Sequence, residues 1–133
     1  MIEMNTKVIL DFVDAINRAD VVSMVELMAE DHTFVDSRDN RMTGKENLNQ
    51  GWLGYFELFP DYKIEITGML HEESLFYMVG YAGGTYKSMQ NEANTNYWRI
   101  PAAWTAVIQN NKVQVWQVYA NNGVVIDIMN RNQ

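Results

Sequence analysis

The sequence predicts an α+β domain in which helices come first and an antiparallel sheet follows. Apolar residues recur at helical spacing as far as Pro60, and from Asp61 onward they alternate with polar residues at strand spacing. Near the end of the chain, two strand-like segments flank Asn110 and Asn111, a pair that favours a tight hairpin turn. The chain has 133 residues, which is the length of one domain spanning residues 1–133 with a substantial core.

The first two helices are predicted from caps and an apolar stripe. Asn5 is the expected N-cap of the first helix, and Asp20 is the expected N-cap of a shorter second helix. A short strand over residues 31–37 and a polar connection over residues 38–42 follow. The stripe of the first helix consists of Val8, Ile9, Phe12, Val13 and Ile16.

A third helix is predicted from Thr43 to Pro60. Thr43 and Glu46 have the spacing of a capping box, in which their side chains bond the free backbone N–H groups of the first turn. Pro60 ends the helix because it lacks a backbone N–H and clashes with the preceding turn. The predicted apolar face consists of Leu48, Trp52, Tyr55, Phe56 and Phe59.

Four strands are predicted in the second half, over residues 61–69, 74–86, 100–109 and 112–121. In the first of them, Tyr62, Ile64 and Ile66 share one side. Residues 87–96 are polar and predict a loop or a sheet edge. The tail from Gly123 is rich in β-branched residues and is compatible with either a short helix or a strand.

The last strand, residues 113–121, predicts a cavity wall. Strict alternation puts Val113, Tyr119 and Asn121 on one side and Trp116 on the other. Since neither side is plainly polar, both faces are expected to be covered, and the polar end of the strand is expected to face a pocket.

Composition excludes several classes of function. The net charge of −7 leaves no basic surface for phosphate backbones, so neither a nucleic acid nor an anionic membrane surface is an expected partner. There are no cysteines, and His32 and His71 lack metal-ligand spacing, so no metal and no cofactor are expected. His32 beside Asp31 fits a surface pair. The absence of cysteine and of a visible signal peptide favours the cytoplasm.

Taken in order along the chain, these motifs resemble the SnoaL-like polyketide cyclase family, within the wider superfamily of nuclear transport factor two and ketosteroid isomerase. The resemblance is carried by the opening helix, the strand ending in Val35-Asp36, the turn at Gly44, Phe59-Pro60-Asp61, Gly83-Gly84-Thr85-Tyr86 and the stretch from Trp116 to Asn121. It implies a cone-shaped, cystatin-like barrel, in which N-terminal helices pack on a curved, mostly antiparallel sheet around an apolar pocket. It also implies a homodimer through the outer face of the sheet.

The chain departs from the family pattern at two positions. Where the family usually ends its last strand with a general acid or base, this chain has Asn121, and a neutral amide does not take up a proton at neutral pH. Where relatives often have a histidine, it has Tyr86. The cyclase mechanism therefore does not transfer directly.

The candidate catalytic residues are Asp36 and Tyr119. In an apolar cavity, desolvation would raise the pKa of Asp36 and make it a usable base, whereas the alternative is a strand-end Asp that bonds its own turn. Tyr119 and Asn121 are expected to hold a carbonyl or hydroxyl oxygen in the pocket. The aromatic ligand contacts are predicted to be Phe34, Trp52, Tyr55, Phe56, Tyr86, Trp98 and Trp104, with core packing as the alternative for each.

Three functions follow from these observations. The first is a domain that binds a small apolar ligand, with cofactor-independent acid/base activity on a cyclic or carbonyl-containing molecule left undefined. The second is a non-catalytic dimeric interaction module with a closed or vestigial pocket. The third is an active isomerase, cyclase or epoxide-type hydrolase that uses Asp36.

Overall fold

The computed structural model describes residues 2–87 and 96–132, and these form an α+β fold as predicted. In chain order the elements are α1 (Ile2–Asn17), α2 (Val21–Glu26), β1 (Met28–Val35), β2 (Arg41–Thr43), α3 (Lys45–Leu58), β3 (Lys63–Glu72), β4 (Leu75–Thr85), β5 (Tyr97–Gln109), β6 (Lys112–Ala120) and α4 (Gly123–Arg131). Most of the predicted loop over residues 87–96 lies outside the described residues. No described helix combines the length and apolar character needed to cross a bilayer.

The six described strands form one curved sheet in the order β2-β1-β6-β5-β4-β3. All neighbouring pairs are antiparallel except β1 and β6, which run parallel. The sheet does not close, because β2 and β3 each have only one partner. The helices cover its inner face, and the core between them includes Ile9, Phe12, Trp52, Trp104 and Trp116.

Several local predictions are confirmed for physical reasons visible in the structure. The Asp20 carboxylate accepts a hydrogen bond from the Ser23 backbone N–H at 3.1 Å, as an N-cap does. Asn110 and Asn111 both have positive φ angles, 52° and 63°, which match the twist that a two-residue hairpin needs. The stripe of α3 faces inward, with Leu48 and Trp52 buried.

Other local predictions are wrong. Asn5 lies inside α1 and does not cap it. The N-cap of α3 is Gly44, which makes no side-chain capping bond; its φ of 100° is a conformation that suits glycine. Arg41 and Met42, predicted as part of the polar connection, form the edge strand β2 together with Thr43, which was predicted as a helix cap. The undecided tail forms the helix α4.

Candidate functional site

A cavity of about 310 Å³ lies between α3 and the inner face of the sheet. Its wall is mostly apolar and aromatic, and its polar side chains include Asp36, Ser37 and Asn122. Such a composition is typical of small-molecule sites, in which a few polar groups orient an otherwise apolar ligand. The lining residues include Phe34, Asp36, Trp52, Tyr55, Tyr62, Trp98, Trp104, Trp116, Ala120 and Asn122.

The structure places five of the seven predicted aromatic contacts at this cavity, namely Phe34, Trp52, Tyr55, Trp98 and Trp104. The Trp52 ring is central among them, with the Phe34 ring centroid 5.9 Å away and the Tyr55 ring centroid 5.9 Å away. Their contact with a ligand remains a prediction.

Phe56 and Tyr86 are not among the lining residues of the cavity. The Phe56 ring packs 5.6 Å from the Trp52 ring, and the Tyr86 ring packs 5.7 Å from the ring of Phe59. Both side chains therefore pack on aromatic neighbours instead of lining the cavity, which corrects the prediction that they contact a ligand.

Tyr119 and Asn121 point away from the cavity, contrary to the prediction. Tyr119 is 44% exposed on the outer face of the sheet, where its hydroxyl lies 3.0 Å from the Thr105 hydroxyl. The Asn121 side chain is exposed and accepts a hydrogen bond from the backbone N–H of Gly123. Neither residue lines the cavity, so neither is in place to hold a ligand oxygen there.

A β-bulge explains this error. Val115 pairs with Val107 and Val113 pairs with Ile108, so Gln114 is an extra residue in β6. The bulge puts Val113 and Trp116 on the same inner face, although strict alternation separates them. From Trp116 onward the inward positions are even-numbered, and the cavity is lined by Val118, Ala120 and Asn122.

Asn122 is the polar residue that follows β6 and faces the cavity, and sequence reasoning missed it. Its amide Nδ2 donates to the Ser37 hydroxyl at 2.7 Å, which ties the end of β6 to the turn after β1. The sequence offers two adjacent asparagines, Asn121 and Asn122, at the end of the strand. The bulge decides which of the two side chains faces the cavity.

Asp36 lines the cavity, but its carboxylate is bound by its own turn. It accepts hydrogen bonds from the backbone N–H groups of Arg38 and Asn40, both at 2.9 Å, and from the Asn40 amide at 3.1 Å. Partial burial opposes ionisation, but these hydrogen bonds outweigh it and hold the pKa of Asp36 below its usual value. The expected rise in pKa is therefore absent, and the local-turn alternative describes the geometry.

His32 is fully buried, although the sequence suggested a surface pair with Asp31. Its Nδ1 lies 2.7 Å from the Val113 carbonyl oxygen, so Nδ1 carries the proton and donates it. Burial lowers the pKa of His32, with the Val113 hydrogen bond opposing this. No acceptor or donor among the described residues reaches Nε2. His32 is not a cavity residue, so its role is structural.

Two further aromatic lining residues, Tyr62 and Trp116, were not predicted as ligand contacts. The alternation of Tyr62, Ile64 and Ile66 did identify the inward side of β3, and all three are buried or half-buried. A search for aromatic residues on the inward sides of strands, as well as on α3, would have found Tyr62.

A SnoaL-like domain model matches residues 9–123 of the chain. No functionally curated protein matches it significantly. Solved structures do. A protein from Shewanella denitrificans OS-217 described as a SnoaL-like polyketide cyclase matches with 15% identity and a TM-score of 0.81, over 96% of this chain and 97% of that one.

Two other solved structures show the breadth of this fold. A protein with a ketosteroid isomerase-like fold from Catenulispora acidiphila DSM 44928, in complex with trimethylamine, has 17% identity and a TM-score of 0.78, over 90% of this chain and 89% of that one. An epoxide hydrolase from M. tuberculosis, described as LEH-like, has 8% identity and a TM-score of 0.78, over 98% of this chain and 92% of that one. At these identities the likeness shows a shared fold, and the activities belong to those proteins.

Proposed function

This chain belongs to the SnoaL-like domain family, and we propose that it binds a small, largely apolar cyclic molecule in the aromatic cavity. The observation that carries the proposal is the cavity itself, with a volume of about 310 Å³ and aromatic residues on α3, on three strands and just before β3. That volume is at the small end of ligand sites, so it suits a molecule of one or two rings. Burial of such a molecule would be driven by its apolar surface.

The binding proposal is tested by narrowing the cavity. Ala120 lines the cavity, whereas Ala103 lies one strand away in a groove on the outer face of the sheet. We expect Ala120→Leu to weaken the binding of indane, a two-ring hydrocarbon, about fivefold or more, because overpacking a site costs about 1–3 kcal/mol. Ala103→Leu is the matched control and should leave the affinity unchanged. Isothermal titration gives both affinities, and equal binding by the two variants would contradict the proposal.

Acid/base catalysis by Asp36 is the second candidate, and the observation in its favour is that Asp36 lines the cavity. The lowered pKa makes its carboxylate a weak base, so we place catalysis second to binding. The chemistry it would perform is abstraction of a proton next to a carbonyl group.

Exchange of the α-protons of indanone in D₂O, followed by NMR, separates the two candidates. If Asp36 is catalytic, exchange should be faster with the wild-type protein than without protein, and this acceleration should be lost in Asp36→Asn. Asp39→Asn is the matched control, because Asp39 lies in the same turn and pairs with Arg41 at 3.4 Å. Equal exchange rates in the wild type and Asp36→Asn would leave binding as the function.

We also propose that a second copy of the chain covers the outer face of the sheet. Large apolar side chains are exposed there, including Tyr77 at 47% and Val79 at 54%, and a groove lined by Val79, Pro101, Ala103 and Tyr119 runs across this face. Patches of this kind mark protein interfaces. In sedimentation experiments we expect a dimer for the wild type and a monomer for Val79→Glu. Val22→Glu, on the exposed side of α2, is the control and should remain a dimer; a monomeric wild type would refute the proposal.

A further inference from the structure

A second space, which we call the cleft, lies between α4 and the end of α3. Its volume is about 440 Å³, and three of its side chains, Tyr55, Trp98 and Asn122, also line the aromatic cavity. The rest of its wall comes from the end of α3, from α4 and from the turn after β1. The residues that line the cleft but not the cavity are Arg38, Leu58, Phe59, Val125, Ile126, Met129 and Asn130.

The helix α4 is attached at both of its ends. Before its first turn, the Asn122 amide donates to the Ser37 hydroxyl at 2.7 Å. After its last turn, the Asn132 amide donates to the side-chain oxygen of Asn96 at 3.2 Å. These hydrogen bonds fix the helix beside α3, and the cleft is the space that remains between the two helices.

The walls of the cleft are largely apolar, and those on α4 are mainly aliphatic. Val125 and Phe59 are buried, and the half-buried side chains of Ile126 and Met129 continue the wall along α4. Leu58, which is 39% exposed, lines the opposite side. Apolar side chains inside a protein normally pack against one another, so apolar walls that stay apart indicate a binding groove. Aliphatic and thioether side chains adapt to a flexible chain.

Arg38 gives the cleft a positive charge. It is the only charged residue among the lining residues that the structure describes, and it is exposed. Its guanidinium forms no ion pair with a described residue. Asp36 lies near enough to interact with this charge, but its carboxylate already accepts three hydrogen bonds from its own turn. A guanidinium offers two parallel donors that match the two oxygens of a carboxylate, so Arg38 suits a carboxylate ligand.

We infer that the cleft binds an aliphatic monocarboxylate, with the hydrocarbon chain between α3 and α4 and the carboxylate at Arg38. The chain leaves water, while the carboxylate meets an exposed guanidinium and avoids the cost of burying a charge. This site lies outside the aromatic cavity and takes a different class of ligand, so it does not depend on the function proposed above.

Octanoate and 1-octanol carry chains of the same length and test the role of Arg38. We expect Arg38→Gln to weaken the binding of octanoate about three- to fivefold, as for an exposed ion pair, and to leave the binding of 1-octanol unchanged. Arg41→Gln is the matched control, because Arg41 is close in sequence but does not line the cleft. Isothermal titration gives the affinities. Unchanged binding of octanoate, or equal losses for the two probes, would overturn the inference.

A second pair of variants tests where the chain lies. Ile126→Trp puts a larger side chain into the cleft and should weaken both probes about fivefold or more. Val124→Trp is the matched control on the same helix, because Val124 is 52% exposed and does not line the cleft. Equal binding of octanoate by these two variants would contradict the inference.

The wild-type protein gives a test that does not depend on how a variant folds. Met129 lines the cleft, whereas Met42 lines the aromatic cavity. When octanoate is added, the methyl resonance of Met129 should move more than that of Met42 in ¹H–¹³C spectra. A larger shift at Met42 would place octanoate in the cavity, and no shift at either would show that octanoate does not bind. Both results would overturn the inference and leave the cavity proposal, which is tested with indane, intact.

Discussion

Tyr62→Phe is expected to make the unliganded protein more stable. The substitution keeps the buried ring and removes only a hydroxyl that has no hydrogen-bond partner among the described residues, in a side chain that is 8% exposed. Burying a hydroxyl without a partner costs about 1–3 kcal/mol, and a hydroxyl that faces a cavity keeps part of its hydration. The expected gain in the free energy of unfolding is therefore about 1 kcal/mol, at the lower end of that range.

Chemical and thermal denaturation measure this effect. For a domain of this size, a gain of about 1 kcal/mol raises Tm by about 4 °C. Tyr97→Phe is the matched control, because Tyr97 is 54% exposed and is not among the residues of the proposed dimer face; its stability should stay within about 0.5 kcal/mol of the wild type. A Tyr62→Phe variant that is no more stable than the control would refute the reasoning, because the hydroxyl would then have a partner inside the protein.

Two further predictions concern stability. Because the pKa of buried His32 is lowered, the unfolded chain binds more protons than the folded protein below about pH 6.5. The free energy of unfolding should therefore fall as the pH drops below that value, by at most about 1.4 kcal/mol per pH unit. His32→Asn should flatten this slope in denaturant titrations between pH 7 and 5, and an unchanged slope would contradict the assignment. Gly80→Ala should strongly destabilise the folded protein, because the new Cβ would collide with the Glu65 carbonyl oxygen. Gly54→Ala in α3 has open space around the new Cβ and should stabilise the folded protein by about 0.5–1 kcal/mol. Equal effects of the two substitutions in thermal denaturation would contradict this prediction.

The parts of the fold that depend on local chemistry were predictable from the sequence. The Asp20 cap needs only a carboxylate three residues before a free N–H, and the Asn110-Asn111 turn needs only two residues that tolerate positive φ. The inward side of α3 follows from the spacing of Leu48 and Trp52, and five of the aromatic residues that line the cavity follow from similar patterns. These features do not depend on which strand pairs with which.

The parts that depend on pairing were not predictable. The bulge at Gln114 exists only because β6 pairs with β5 in a particular register, and nothing in the composition of β6 marks it. The burial of His32 depends on the carbonyl of Val113, which is distant in the sequence and arrives through the parallel pairing of β1 with β6. The edge strand β2 likewise forms because β1 provides a partner for a polar segment.

The bulge also determines what chemistry the cavity can support. With the alternation shifted by one residue, the tyrosine and asparagine that end β6 face outward, and the inward position after β6 is Asn122, whose amide is bound to Ser37. The carboxylate that remains, Asp36, is stabilised as an anion by its turn and accepts protons poorly near neutral pH. Tyr55 and Tyr62 also line the cavity, and burial raises the pKa of both phenols, so they keep their protons near neutral pH and do not act as bases. Because the titratable groups of this cavity either hold their protons or accept them poorly, ligand binding is better supported than proton transfer as the function proposed for this domain.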